Sequence, residues 1–165
     1  MTATHGGAEH HASAVMHHGH AMRFHREASR HYQVGKDYAH AAHQALVAHG
    51  HTMQAIEHGQ KASENYAEHG GNPLSKYLDR ANGASAVVVA TDLGASDLGG
   101  AGLHAAAADQ AEQAGRHHAR AAMHFEQEHY DVAAREAQLA YRHAQNSLFY
   151  SNEAAKHHVT HNGSP

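Results

Sequence analysis

The chain has no cysteine and no tryptophan, only two prolines and three phenylalanines, and no long uninterrupted apolar run. Each absence excludes something. Without cysteine there is no disulfide scaffold, no thiolate metal site and no cysteine nucleophile. No window approaches the roughly 20 apolar residues that a bilayer demands, so no membrane-spanning helix is expected. Basic residues are in deficit. The 12 Lys and Arg face 16 Asp and Glu, a formal charge of −4, which argues against nucleic-acid binding through phosphate neutralisation. Residues 1–16 lack a basic start followed by an apolar segment, so no secretory signal is expected and the cytoplasm is the default setting. Large side chains are scarce and much of the apolar content is alanine. Burial stabilises by about 25 cal/mol per Å², so an alanine core is thin.

The strings that announce common enzyme chemistry are missing too. There is no His-Glu-x-x-His, no phosphate loop, no dinucleotide glycine fingerprint and no Gly-x-Ser-x-Gly. A carboxylate-bridged di-iron bundle needs Glu-x-x-His on two helices. One match occurs, Glu126 to His129, and it falls at an expected turn. No enzyme is expected.

What the chain does have is histidine, 23 of them. An unperturbed imidazole titrates near pH 6.5. Full protonation would swing the formal charge from −4 to about +19. pH-responsive behaviour is therefore one expectation. Inward-facing histidines that folding keeps neutral would lose stability as pH falls.

Residues 1–9 read as a flexible leader. A helical pattern from about His10 to Gln33 ends at Val34-Gly35-Lys36-Asp37, where Gly35 suits a left-handed cap. A long helix over about 38–69 follows, stopped by Gly70-Gly71-Asn72-Pro73. These form a first hairpin, residues 10–70. Residues 71–110 read as a Gly/Ala-rich linker, partly coil, with a short helix over 74–84. Helix resumes near His104, turns at Glu128-His129 and continues over about 130–161, giving a second hairpin within 111–161. The expected fold is all-α, two long antiparallel helical hairpins packed as a bundle.

The two hairpins repeat. Ala28, His31 and Tyr32 match Ala121, His124 and Phe125. After the turn, Tyr38, Ala41, Ala42, Ala45, Ala48 and His51 match Tyr130, Ala133, Ala134, Ala137, Ala140 and His143. The segment HFEQEHYDVAAREAQLA, residues 124–140, resembles the turn of a tetratricopeptide hairpin, where a Tyr-Asp pair leads into small residues on the second helix. The copy at 28–48 is similar, with one extra turn residue. The likeness covers about twenty residues per copy. The family's first-helix tryptophan and glycine and its closing proline are missing, and the second helix runs on. That departure implies long hairpins rather than a stacked solenoid. The chain also resembles small histidine- and alanine-rich helical proteins of bacteria, a likeness that implies helical style and no mechanism.

Helix geometry assigns faces to the histidines. On the second helix His40, His43, His51, His58 and His69 share one stripe, expected to be the solvated face, while His49 lies amid the apolar side. His17 and His31 on the first helix of the first copy, and His117 and His124 on that of the second, point towards the hairpin interface, His31 and His124 being the repeat-equivalent pair. The spacing of seven in His10/His17, His11/His18, His18/His25, His51/His58 and His117/His124 separates rings by roughly 10 Å, too far for one ion to bridge. One-turn spacings are better chelates. They occur at His40/His43 and in the group His157, His158 and His161. Neutral imidazole binds Zn, Ni and Cu at about 2.0–2.1 Å. The expected function is binding or buffering of transition-metal ions (Ni, Zn or Cu) by these histidines. The alternative is an all-helical interaction or assembly module, partnered by a second copy or another helix.

Overall fold

The computed structural model describes residues 3–35, 37–68, 95 and 98–162. Those residues form the helices α1 (Ala3–Val34), α2 (Tyr38–Glu68), α3 (Gly100–Glu126) and α4 (Tyr130–Asn162). The all-α hairpin bundle expected from the sequence is what forms. α1 packs along both α2 and α3, α3 along α4, and α4 returns to α2. Facing residues run in opposite order along each seam, so neighbours are antiparallel: His10 meets His58 and His31 meets His40 between α1 and α2, and His11 meets His118 and His25 meets His104 between α1 and α3. α2 and α3 occupy opposite corners, and residues 69–99 connect them. The expected short helix at 74–84 and most of the expected linker lie outside the described residues.

Both turns have a local cause. Gly35 takes φ +69, and its N–H donates to the Tyr32 carbonyl at 3.2 Å, closing α1 with a residue that suffers no Cβ penalty there. Asp37 then caps α2, its Oδ1 accepting from the His40 N–H at 3.0 Å, which satisfies one of the unpaired donors of the first turn. The second turn makes the same reversal without glycine, and Glu128 carries φ 60 instead. Across the two turns Tyr32 meets Tyr38 and Phe125 meets Tyr130, each pair edge-on, with centroids 4.9 and 5.2 Å apart.

Two helix starts differ from expectation. α1 begins at Ala3, within the segment read as a flexible leader, and α3 begins at Gly100, within the segment read as linker. Packing explains both. The Phe125 ring stands against Gly7, and the Tyr32 ring against Gly100, at positions where any Cβ would collide with it. These glycines admit an aromatic ring to the helix backbone, and the burial outweighs their roughly 1 kcal/mol helix penalty.

Alanine fills the seams. Ala14, Ala21 and Ala28 of α1 and Ala107, Ala114 and Ala121 of α3 are all fully buried, and Ala28 packs with Ala41 and Ala45 of α2. Small side chains let helix axes approach closely. Larger apolar groups gather at the ends. Phe125, Tyr66 and Tyr130 pack with Ala8 at one end, and Leu103, Tyr150 and Phe149 pack with Leu98 at the other. Between these clusters histidines share the interior with the alanines. Among the described residues no helix is long and apolar enough to cross a membrane.

Candidate functional site: a histidine row inside the bundle

α1 carries His11, His18 and His25 at intervals of seven, alternating with Ala14, Ala21 and Ala28 along one stripe. The near-match of 3.5 to 3.6 residues per turn keeps such a stripe on one face. α3 meets it with His118 and His104, and α4 adds His158. These six are all buried, His11, His18, His25 and His104 completely.

The rings form a chain along the bundle. His11 Nδ1 lies 3.0 Å from His118 Nδ1, and its Nε2 bonds the Tyr66 hydroxyl. His118 stacks on His18 with centroids 5.5 Å apart. Further along, His25 stacks on His104 at 5.8 Å, and His104 Nε2 sits 3.0 Å from His158 Nε2. Tyr32 closes this end, edge-on to His158 at 4.9 Å. Each α3 histidine is thus flanked by two others: His118 by His11 and His18, His104 by His25 and His158. Gly59 leaves room behind His118, whose Cε1 and Nε2 lie within 3.0–3.3 Å of where a Cβ would stand.

Burial sets the charge of this row. Desolvation, aided by neighbouring imidazoles, pushes His11, His18 and His25 down to about 3, His104 down to about 4, and His118 well below its ordinary value. His158 is lowered for the same reason. At neutral pH the row is neutral imidazole, each ring with one N–H and one lone pair. Among the described residues neither ring nitrogen of His18 or His25 has a hydrogen-bond partner, and Nδ1 of His104 and of His158 lacks one too. Buried polar atoms are normally paired, and each exception calls for a physical account.

A second row lies half-buried on the α1–α2 seam. His10 faces His58 and His17 faces His51, with Nδ1 atoms 3.3 and 3.1 Å apart. His20 and Phe24 both stack on His51. Desolvation, then mutual repulsion, lowers the pKa values of His17, His51 and His58. At the turn end, Glu27 and His31, one helical turn apart, meet His40. One ligand atom from each lies within 4.8 Å of the other two, the one such group of three among the described residues. The Gln44 side-chain amide holds His40 Nε2 at 3.0 Å, the kind of outer contact that orients a ligating ring. On the α3–α4 seam His117 Nδ1 contacts Glu136 at 2.7 Å, and Arg120 reaches the same carboxylate at 3.3 Å.

The expected site residues therefore divide. His31 and His40 come together, and His158 belongs to the inner row. His17 is half-buried against His51, so the stripe holding His51 and His58 is a helix seam rather than a solvated face. The His40/His43 chelate does not form. His43 is exposed while His40 turns to His31 and Gln44. His157 bonds the Tyr32 hydroxyl at 3.1 Å, while His158 lies against the ring of the same tyrosine and pairs with His104. The His161 side chain lies outside the described residues. His117 pairs with Glu136, His49 is half-buried within electrostatic reach of His25, and His124 is half-buried with its Nδ1 unpartnered. His11, His18, His25, His104 and His118 were not among the expected site residues. Their signal was present as the alternation of histidine and alanine at seven-residue spacing.

Fold and row together define the class: the described residues form an antiparallel bundle of four helices with a histidine-lined interior. No protein-family model, curated protein or solved structure matches the chain.

Proposed function

We propose that this protein binds transition-metal ions through neutral imidazoles and performs no catalysis itself. The observation that carries the proposal is the inner row, where His18 and His25 bury both ring nitrogens without a hydrogen-bond partner. Leaving a polar group dry and unpaired costs roughly 1–3 kcal/mol. An ion that accepts the lone pair of each ring removes that nitrogen's share of the penalty. The close pairs fit the same reading: nitrogens 3.0 Å apart can bond one ion at about 2.0–2.1 Å each without large movement. Thiolates do not compete, since cysteine is absent. The cytoplasm is the compartment of this proposal.

Calorimetric titration of chelator-stripped protein with Zn, Ni and Cu at pH 7.5 and 5.5 tests it. Binding tighter than that of a free short histidine peptide, weakening at the lower pH as ligands take up protons, is the expected result. Affinity no better than the peptide's ends the proposal. A second reading, an assembly module, draws on Leu46 and Met53, both exposed and two turns apart on α2. Self-association that is indifferent to chelator in sedimentation would favour it.

A further inference from the structure

We propose that Glu27, His31 and His40 form a site for a divalent, four-coordinate ion of the zinc class that bridges α1 and α2 beside their turn, with Gln44 positioning His40. This rests on the metal-binding reading above and adds to it a site outside the inner row. Glu27 and His31 stand one turn apart near the end of α1, and His40 lies in the first turn of α2, so the three converge where the hairpin closes. His31 Nε2 is 3.9 Å from Glu27 Oε1, and the His31 and His40 rings have centroids 4.3 Å apart. One ligand atom of each residue lies within 4.8 Å of the other two. Ligands at about 2.0–2.1 Å around a tetrahedral ion stand roughly 3.4 Å apart, so side-chain movements of roughly 1 Å close the set. The square or octahedral arrangements that suit Cu(II) and Ni(II) bring neighbours to roughly 2.9 Å, farther from what is present.

Charge and access agree. One carboxylate cancels half the charge of a divalent ion, and two imidazoles complete a donor set that zinc accepts. His31 and His40 are half-buried and Glu27 is exposed, so water can take the fourth position. Among the described residues the only ion-pair partner of Glu27 is His31, which leaves the carboxylate available. Gln44 supplies the outer contact. Its side-chain nitrogen lies 3.0 Å from His40 Nε2, while its buried carbonyl oxygen has no partner. A half-turn of the amide lets that oxygen accept from Nε2–H, which puts the ring's lone pair on Nδ1, the nitrogen offered to the ion. The second hairpin is a built-in comparison. At the repeat-equivalent positions it carries Arg120, His124 and Val132, with Glu136 in place of Gln44. One donor of the three survives there, and Arg120 reaches Glu136 instead, so the site belongs to the first hairpin.

Histidine-selective NMR of chelator-stripped protein at neutral pH follows the rings through a zinc titration. Co(II) in place of zinc reports coordination number by its visible bands, strong for four ligands and faint for six. The first equivalent of metal is expected to move the His31 and His40 rings and to give the strong bands. Glu27→Gln and His40→Leu should each weaken this site about tenfold or more and abolish the strong bands. Gln44→Leu should weaken it about tenfold while keeping the strong bands and the melting temperature of the metal-free protein. Affinity unchanged in Gln44→Leu strikes out the positioning role. Should a variant fail to fold, the wild-type spectra decide alone. A six-coordinate spectrum, or His31 and His40 rings unmoved while others respond, overturns the inference and leaves the metal-binding proposal standing. Affinity no better than that of a free short histidine peptide overturns both.

Discussion

The α1–α3 seam and the α1–α2 seam use the same residues for different ends. Both set histidines at intervals of seven on α1 against histidines on an antiparallel neighbour. On the α1–α3 side the rings are buried, no buried side chain among the described residues is anionic, and several nitrogens stand without partners. On the α1–α2 side the rings are half-buried and end at a group holding a carboxylate. One face of α1 lies about 100° from the other, so a single helix carries two kinds of imidazole. The difference teaches that solvent access, not residue type, decides whether a histidine row is a stored cost or a routine polar seam.

The broadest way to break the comparison is acid. The folded pKa values of His11, His18 and His25 lie near 3 and that of His104 near 4, with His118 well below its ordinary value. These groups contribute their full share above the unfolded value of about 6.5, and stability is lost as pH falls below it, since the unfolded chain takes up the protons first. Each such residue forfeits about 1.4 kcal/mol per pH unit. Because the unfolded chain is only half-protonated at pH 6.5, the five together bring a loss of roughly 5 kcal/mol between pH 6.5 and 5.5, comparable with the whole stability of a small domain. Thermal melts of metal-free protein should collapse towards pH 5. A melting temperature level from pH 7.5 to 5.5 would remove the buried row from the account.

A single inner substitution comes next. His18→Leu replaces an unpartnered buried ring by an apolar group of similar bulk and should stabilise the metal-free protein by about 1–3 kcal/mol at pH 7.5. It should also reduce the acid sensitivity by one residue's share. Urea unfolding at two pH values measures both, and a large loss at neutral pH would mean that the ring's packing matters more than its polarity. Smaller again is Tyr66→Phe, which removes the hydroxyl bonded to His11 Nε2 and should cost about 1 kcal/mol by urea unfolding. On the outer side, Glu136→Gln loosens the contact with His117 and Arg120. It should change stability by about 1 kcal/mol or less, as ion pairs at the surface of a bundle do. An outer effect as large as the inner ones would erase the contrast.

Much of the fold was legible in the chain. Gly35 and Asp37 mark one turn, the aromatic pairs flank both, and the helical pattern of α2 and α4 placed their ends to within a residue or so. The site was legible only in part. His31 and His40 were placed on opposing helices of a hairpin, but Glu27 was not linked to them, because a turn-end meeting depends on how two helices cross. The inner row was passed over because seven-residue spacing is too long for one ion on one helix. The missing half of each cluster comes from α3 and α4, more than 75 residues away along the chain.

The sequence by itself determined the helices, their turns and the spacing that strings histidines along one stripe, because periodicity and capping are local physics. Only the tertiary structure decided which of two adjacent stripes went inside. That choice turns on a rotation of α1 by one residue's angle, and the alanines that permit close approach and the aromatic rings seated on Gly7 and Gly100 fix it.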